Sequence, residues 1–383
     1  MDQVRAVLTR DEGKWIAFRR DLHRHPELSG MEVRTAQLVA VELRRLGLEV
    51  RTGVGGRGVV AILRGARPGP LIAYRADMDA VPTSAADPVD FPSLNAGIRH
   101  ICGHDIHTTI GLALATALQQ VRDSLAGSVM FVFQPAEERA TGARAMLADG
   151  VFASELPASI YALHTSPYEQ GRLATTAGPM MAGRDRFEVV LSGSGDLGGA
   201  TATVVQKINA LGTVDASQIG VSQPPDFVLV QLGQPQSGGG QIRLQGTVTV
   251  ASAASRARVQ DAIQSGFVSL LPAGVSVAAT YEARWIAGVT NDSLLTMAAA
   301  AAVRAALGDQ QLATVTTIPP AFSEDFGSFQ ERVPGVFLYL GVANTARGWN
   351  GLPHNPEYVA DERAIVTGAV AIASVLLDRL RGR

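Results

Sequence analysis

The amino-acid sequence predicts an α/β protein, in which a catalytic domain with a mostly parallel, helix-flanked sheet is interrupted by a smaller α+β insertion of ferredoxin-like type. Three observations predict it. Strand-length apolar runs alternate with segments of helical periodicity over about the first 180 residues. From about 185 to 290 the pattern becomes strand, helix, hairpin, helix, strand. After 293 the chain returns to long helices and one further strand, so its C-terminal part is expected to complete the first domain.

Segments 15–27, 33–47, 109–121 and 140–150 carry apolar residues at helical spacing. Between them lie the apolar runs 59–65, 71–77, 129–137 and 159–165, each ending in polar or charged residues. Helices placed between strands favour a parallel sheet, and ligands gather beyond the carboxyl ends of its strands. The polar residues ending these runs are therefore the first candidates for chemistry. The insertion reads as strand 187–195, helix 200–211, hairpin 227–252, helix 255–271 and strand 275–285. The expected division is 1–182 and 293–383 for the catalytic domain and 183–292 for the insertion.

With 383 residues, 46% of them hydrophobic, the chain has length enough for two domains and a sizeable core. Charged residues make up 18% and nearly cancel to a net charge of -2, which excludes the cationic face that nucleic-acid binding requires. The single cysteine, Cys102, excludes an internal disulfide framework and makes a reducing cytoplasm the expected compartment. The first residues carry no apolar core of signal-peptide type. No apolar run reaches about 18 residues, so no membrane span is expected.

Seven histidines occur, and three of them crowd into His100-Ile-Cys102-Gly-His104-Asp-Ile-His107 with the only cysteine. Thiolate and imidazole are preferred ligands of zinc and neighbouring ions, and a glycine between them lets both face one ion. Glu137 and Glu138 follow the run VMFVF; at a strand end, one carboxylate can bind metal while the other serves as general base. His164 ends the run IYAL, and His354 lies on the late loop Leu352-Pro-His354-Asn-Pro. One cysteine, three histidines and a carboxylate fit two metal ions. Asp77 and Asp79, after another strand, are placed to orient a ligand imidazole from behind.

In the order LHRHPELSGME, RADMDAVP, HICGHDIHT, FQPAEE, ALHT, GPMMAG, FSEDF and LPHNPEY, the sequence resembles metal-dependent aminoacylases and carboxypeptidases, a family that includes hippurate hydrolases and auxin–amino acid conjugate hydrolases. The resemblance runs through nearly all of residues 15–375. It implies two divalent ions (zinc, manganese, cobalt or nickel) held by Cys102, His104, Glu138, His164 and His354, with Cys102 bridging. It implies Glu137 as the general base toward metal-activated water, with Asp79 and His107 supporting the ligands. Ser323, Glu324 and Asp325, in the SEDF motif, would give structural support near the site. The insertion would be a lid and dimerisation domain, the chain a homodimer, and the substrate a small N-acyl amino acid or peptide.

The small domain departs from the family pattern. Its usual glycine-flanked histidine is absent from Gly193-Ser-Gly195-Asp196-Leu197-Gly198-Gly199. An expected asparagine turn is replaced by Ser237-Gly-Gly-Gly240-Gln241, and the carboxylate-binding arginine is Thr249. Losing one oxyanion donor typically lowers rate about 10²–10³-fold. Two alternatives to an ordinary aminoacylase follow. One is a weakly active or non-catalytic metal-binding relative; the other is a hydrolase of an atypical substrate lacking a free carboxylate. Gln241, Arg243 and Asn291 are the first candidates for a replacement donor. Residues 193–198 also imitate a dinucleotide fingerprint, but the hairpin expected after them favours a plain glycine-rich turn.

Overall fold

The computed structural model describes residues 1–218 and 221–381. It divides into two compact units, one of residues 1–178, 290–314 and 328–383, the other of 179–289 and 315–327. The segment 315–327, which carries the SEDF motif, thus groups with the insertion although it follows the return to long helices.

The first unit is built on an eight-stranded sheet. Across it the order is Glu49–Val54, Gly58–Arg64, Ala126–Gln134, Arg67–Asp77, Ser159–Glu169, Gly335–Ala343, Leu173–Thr175 and Leu312–Thr314. The central pairings are parallel: Arg67–Asp77 with both Ala126–Gln134 and Ser159–Glu169, and Ser159–Glu169 with Gly335–Ala343. Antiparallel pairings enter toward the margins, at Glu49–Val54 with Gly58–Arg64, Gly58–Arg64 with Ala126–Gln134, and Gly335–Ala343 with Leu173–Thr175. Central strands bury both faces, which is why they read as continuous apolar runs in the sequence.

The helix His104–Gln119 is buried from His104 to Leu118; its later turns, Ile110–Leu118, are almost wholly apolar and small, and its first turns bury the polar His104, Asp105 and His107. It packs in one core with Ala364–Leu380, whose residues Ile365, Ile372 and Leu376 are fully buried. No helix among the described residues is long and apolar enough to cross a membrane.

The second unit has the expected order: strand Gly183–Gly193, helix Leu197–Asn209, strands Val228–Leu232 and Gln241–Val250, helix Ala253–Ser265 and strand Val275–Ile286. The sheet order places Gly183–Gly193 between Gln241–Val250 and Val275–Ile286, antiparallel to both. That arrangement is ferredoxin-like, and it removes the parallel continuation a dinucleotide site would need. The glycine-rich stretch before Gln241 is a tight hairpin turn, with Gly239 and Gly240 at φ 58° and 72°.

Alternation along Gly183–Gly193 sets what each face carries. Phe187, Val189 and Leu191 enter the core with Val204 and Ile263 of the two helices. Asp185 shares their side of the strand and is fully buried. Its carboxylate accepts Arg256 Nε at 2.9 Å, Tyr281 Oη at 2.7 Å and the Arg284 amide at 2.6 Å. Arg284 sits at φ 57°, where the register of Val275–Ile286 shifts, so Asp185 holds this bulge. Asp185→Ala strands the Arg256 guanidinium and is expected to lower stability by about 3–5 kcal/mol in urea unfolding. A loss no larger than the roughly 0–1 kcal/mol of a surface pair would refute the anchoring role.

Candidate metal centre

The site residues emerge at strand ends and helix starts of the first unit. Cys102 and His104 flank Gly103, which has φ 95° and caps the N-terminus of the buried helix. A Cβ at Gly103 would collide with Thr165 Oγ1 and Tyr358 Oη, so only glycine allows this approach. Glu137 and Glu138 follow the strand Ala126–Gln134 after Ala136, a non-glycine residue at φ 54°. His164 lies within Ser159–Glu169. His354 is itself at φ 69°, and its amide donates to the Ile101 carbonyl at 2.8 Å, tying its loop to the Cys102 loop. Left-handed backbone at residues such as Ala136 and His354 persists only where surroundings enforce it.

These side chains converge. Ligand atoms of Cys102, His104 and His164 lie within 4.8 Å of one another, as do those of Cys102, Glu138 and His354, and those of His104, Glu137 and Glu138. Cys102 belongs to two of these groups, at 3.3 Å from His164 Nε2. His354 Nε2 stands 3.2 Å from Glu138 Oε2. All five residues to which the resemblance gives a ligand role are therefore brought together, with Glu137 beside them.

Asp79 organises the cluster. It accepts His104 Nδ1 at 3.2 Å, the Glu137 amide at 3.2 Å, the Glu138 amide at 3.0 Å and Ser29 Oγ at 2.6 Å. Burial would raise its pKa, but the bond from His104 and its positive charge hold it below the ordinary carboxylate range. With Nδ1 of His104 engaged, Nε2 points inward, buried and without a hydrogen bond. His164 is fixed the same way: Nδ1 donates to the Thr165 carbonyl at 2.7 Å, leaving Nε2 toward Cys102.

His107 has both nitrogens occupied, Nδ1 on Asp77 at 2.6 Å and Nε2 accepting the Thr165 amide at 2.9 Å. This leaves it no lone pair for a metal ion and makes it a brace between the ends of two strands. Asp77 also binds Arg75 Nη1 at 2.6 Å.

Electrostatically the cluster is short of positive charge. Burial opposes protonation of His104, yet Asp77, Asp79 and Glu138 outweigh it and push its pKa up to about 10. Burial, Glu138 and Glu137 raise the Cys102 thiol well above its ordinary value. His164 is held neutral by burial and by its histidine neighbours. Glu138 Oε1, like His104 Nε2, is buried without a hydrogen-bond partner. Imidazoles, carboxylates and a thiol converging around buried, unsatisfied atoms are the donor set of a divalent cation, whose charge would also reverse the protonation of Cys102 and His104.

Three contributors escaped the sequence reading. Glu32 is fully buried and its Oε1 accepts the amides of Gly30 at 2.9 Å and Ala136 at 2.8 Å, which fixes the strained turn before Glu137. Ser29 supports Asp79, and Tyr358 Oη donates to Thr165 Oγ1 at 3.0 Å. All three lie inside the motifs LSGME and LPHNPEY, but nothing in a linear motif names their partners. Among the other histidines, His23 lies between Asp105 at 2.7 Å and Asp87 at 3.0 Å, and burial lowers the His100 pKa to about 4.

Of the candidate replacement donors, Arg243 is paired with Glu188. Asn291 is buried, its Nδ2 donating to the carbonyls of Thr176 at 2.9 Å and Phe337 at 3.0 Å. Gln241 is exposed at the hairpin turn. Asp196, where the family's histidine is missing, caps the following helix by accepting the Gly199 amide at 2.9 Å.

Residues 73–378 match peptidase family M20/M25/M40. The chain is 33% identical over 376 residues to thermostable carboxypeptidase 2 of Saccharolobus solfataricus, covering 94% of this chain and 93% of that one. It is also 33% identical over 384 residues to an N-acetylcysteine deacetylase of Bacillus subtilis, covering 96% and 97%. Among solved structures, the Bacillus subtilis YXEP protein, a dinuclear metal-binding peptidase of the M20 family, superposes with a TM-score of 0.82 at 29% identity, covering 98% of this chain and 99% of that one. Similarity along almost the whole chain means that this protein belongs to peptidase family M20/M25/M40 and is a hydrolase.

Proposed function

We propose that this hydrolase cleaves the amide bond of N-acyl amino acids or small peptides at a two-metal centre held by Cys102, His104, Glu138, His164 and His354. The observation that carries the reading is the convergence of these donors in two groups sharing Cys102, with His104 Nε2 and Glu138 Oε1 buried and unsatisfied. Zinc, manganese, cobalt or nickel suits the mixed sulfur, nitrogen and oxygen set. Bound ions supply Lewis acidity, polarising an amide carbonyl and acidifying water.

The chain's own residues do the rest. Glu137 takes a proton from the attacking water on a carboxylate oxygen and returns it to the leaving nitrogen, so that the C–N bond breaks to an amine and a carboxylate. Asp79 keeps both this residue and Glu138 in place through their amides and sets the tautomer of His104. The second unit serves as lid and dimerisation domain in this reading; Val275–Ile286 is an edge strand, with a backbone edge available to a second copy. A reducing cytoplasm suits the single thiol.

Three measurements test the assignment. Metal analysis of purified protein should find divalent ions, with lower content in Cys102→Ala and in His164→Ala; full retention in both would exclude the ligand set. Asp79→Asn should weaken metal affinity by about 10–100-fold although it touches no ion, and an unchanged affinity would show that Asp79 does not position ligands. Glu137→Gln should keep the metal and lower kcat on the order of 10²–10⁴-fold. Near-normal turnover by that variant would assign the proton transfer to another group.

A further inference from the structure

We propose that Arg75 is a positioning residue of the metal centre: it holds Asp77 away from His104, so that His104 serves the centre with Cys102 and Glu138 instead of a second group with Asp77 and His107. The inference rests on the ligand reading above and names the residue that chooses between two overlapping sets of donors.

His104 belongs to more than one such set. A donor atom of His104 lies within 4.8 Å of donors from Cys102 and His164, and of donors from Glu137 and Glu138, but also of donors from Asp77 and His107. Single distances do not separate them. His104 Nε2 stands 3.7 Å from Asp77 Oδ2, 3.7 Å from Glu138 Oε1 and 3.8 Å from Glu137 Oε2. It is buried and makes no hydrogen bond, so proximity leaves the choice open.

The guanidinium of Arg75 breaks the tie. Its Nη1 donates to Asp77 Oδ2 at 2.6 Å, the same oxygen that faces His104. The other oxygen, Oδ1, accepts His107 Nδ1 at 2.6 Å. Both Arg75 and Asp77 side chains are fully buried, where a charge-assisted bond is strong and an abandoned guanidinium would be an unpaired charge. Sheet register sets this geometry. Arg75 and Asp77 are two residues apart in strand Arg67–Asp77 and share one side of it. Arg75 Nε donates to Gln134 Oε1 at 2.8 Å, and Gln134 is the partner of Asp77 across the parallel ladder.

The same clamp reaches a second proposed ligand. Asp77 orients His107, whose Nε2 accepts the Thr165 amide at 2.9 Å, and the Thr165 carbonyl takes His164 Nδ1 at 2.7 Å. Without the guanidinium, Asp77 Oδ2 is a buried acceptor that must find another partner. A shift of about 1 Å brings it within hydrogen-bonding distance of His104 Nε2. Whether it then takes that nitrogen or a cation, His104 is drawn off the Cys102 side.

The test titrates cobalt(II) into metal-free protein. Thiolate-to-cobalt absorption reports Cys102, ligand-field absorption reports the whole donor set, and neither needs turnover. Wild-type protein should show the thiolate band and Cys102→Ala should lack it. Arg75→Met should bind cobalt about 10–100-fold more weakly, and at saturation its ligand-field spectrum should differ from wild type. Arg75→Lys, which keeps a charged bond to Asp77, should retain the wild-type spectrum. Arg75→Met/Asp77→Asn should recover it, because the competing carboxylate is gone. A pair that only stabilises the fold predicts the contrary: a lowered melting temperature for Arg75→Met with a wild-type spectrum at saturation, which overturns the proposal. Arg75→Gln gives the same reading where the methionine variant does not fold, and an unaltered spectrum there is equally fatal. Absence of the thiolate band from wild-type protein overturns the ligand reading itself and this inference with it, whereas a wild-type band and spectrum indifferent to Arg75 overturn only the role of Arg75.

Discussion

One buried carboxylate holds the candidate centre together. Asp79 joins a serine from the N-terminal segment, the imidazole of His104 and two successive amides of the Glu137–Glu138 turn. Each of these groups comes from a different stretch of chain, so their relative positions are set through a single residue. A carboxylate can do this because its two oxygens accept about four bonds, and because burial penalises any arrangement that leaves them unmet. The inward lone pair of His104 and the position of Glu137 are consequences of that satisfaction.

The backbone around the cluster is strained in its service. Gly103, Ala136 and His354 all adopt positive φ, and each precedes or carries a residue of the centre. Gly103 does so freely, while Ala136 is held by Glu32 and His354 by the Ile101 carbonyl. Strain of this kind is tolerated where a rigid scaffold surrounds it, here the fully buried helix after His104 and the doubly covered central strands.

In the second unit the same economy of position operates through strand alternation. Asp185 faces the helices and locks the bulge at Arg284, which obliges Arg184 and Arg186 to face the other way. The substitution of threonine for arginine at 249 looks like a loss when read along the chain. Across the sheet, Thr249 has Arg184 directly opposite it, a neighbour visible only once register is known. Near Leu197, where the family pattern has a histidine, Asp196 serves the helix as a cap.

The sequence by itself determined the alternation of strands and helices, the ferredoxin-like insertion and the crowd of ligand-type residues, because periodicity and local composition are properties of contiguous residues. It also distinguished Cys102, His104, Glu138, His164 and His354 through motifs whose spacing is short. Only the tertiary structure decided that Glu32 steadies the turn before Glu137, that His107 spends both nitrogens on Asp77 and Thr165, and that residues 315–327 group with the insertion. It alone set Arg184 against Thr249 and left Arg243 tied to Glu188. Those outcomes depend on pairings between residues from about 30 to more than 130 positions apart, and burial, register and hydrogen-bond satisfaction exist only after the chain has closed on itself.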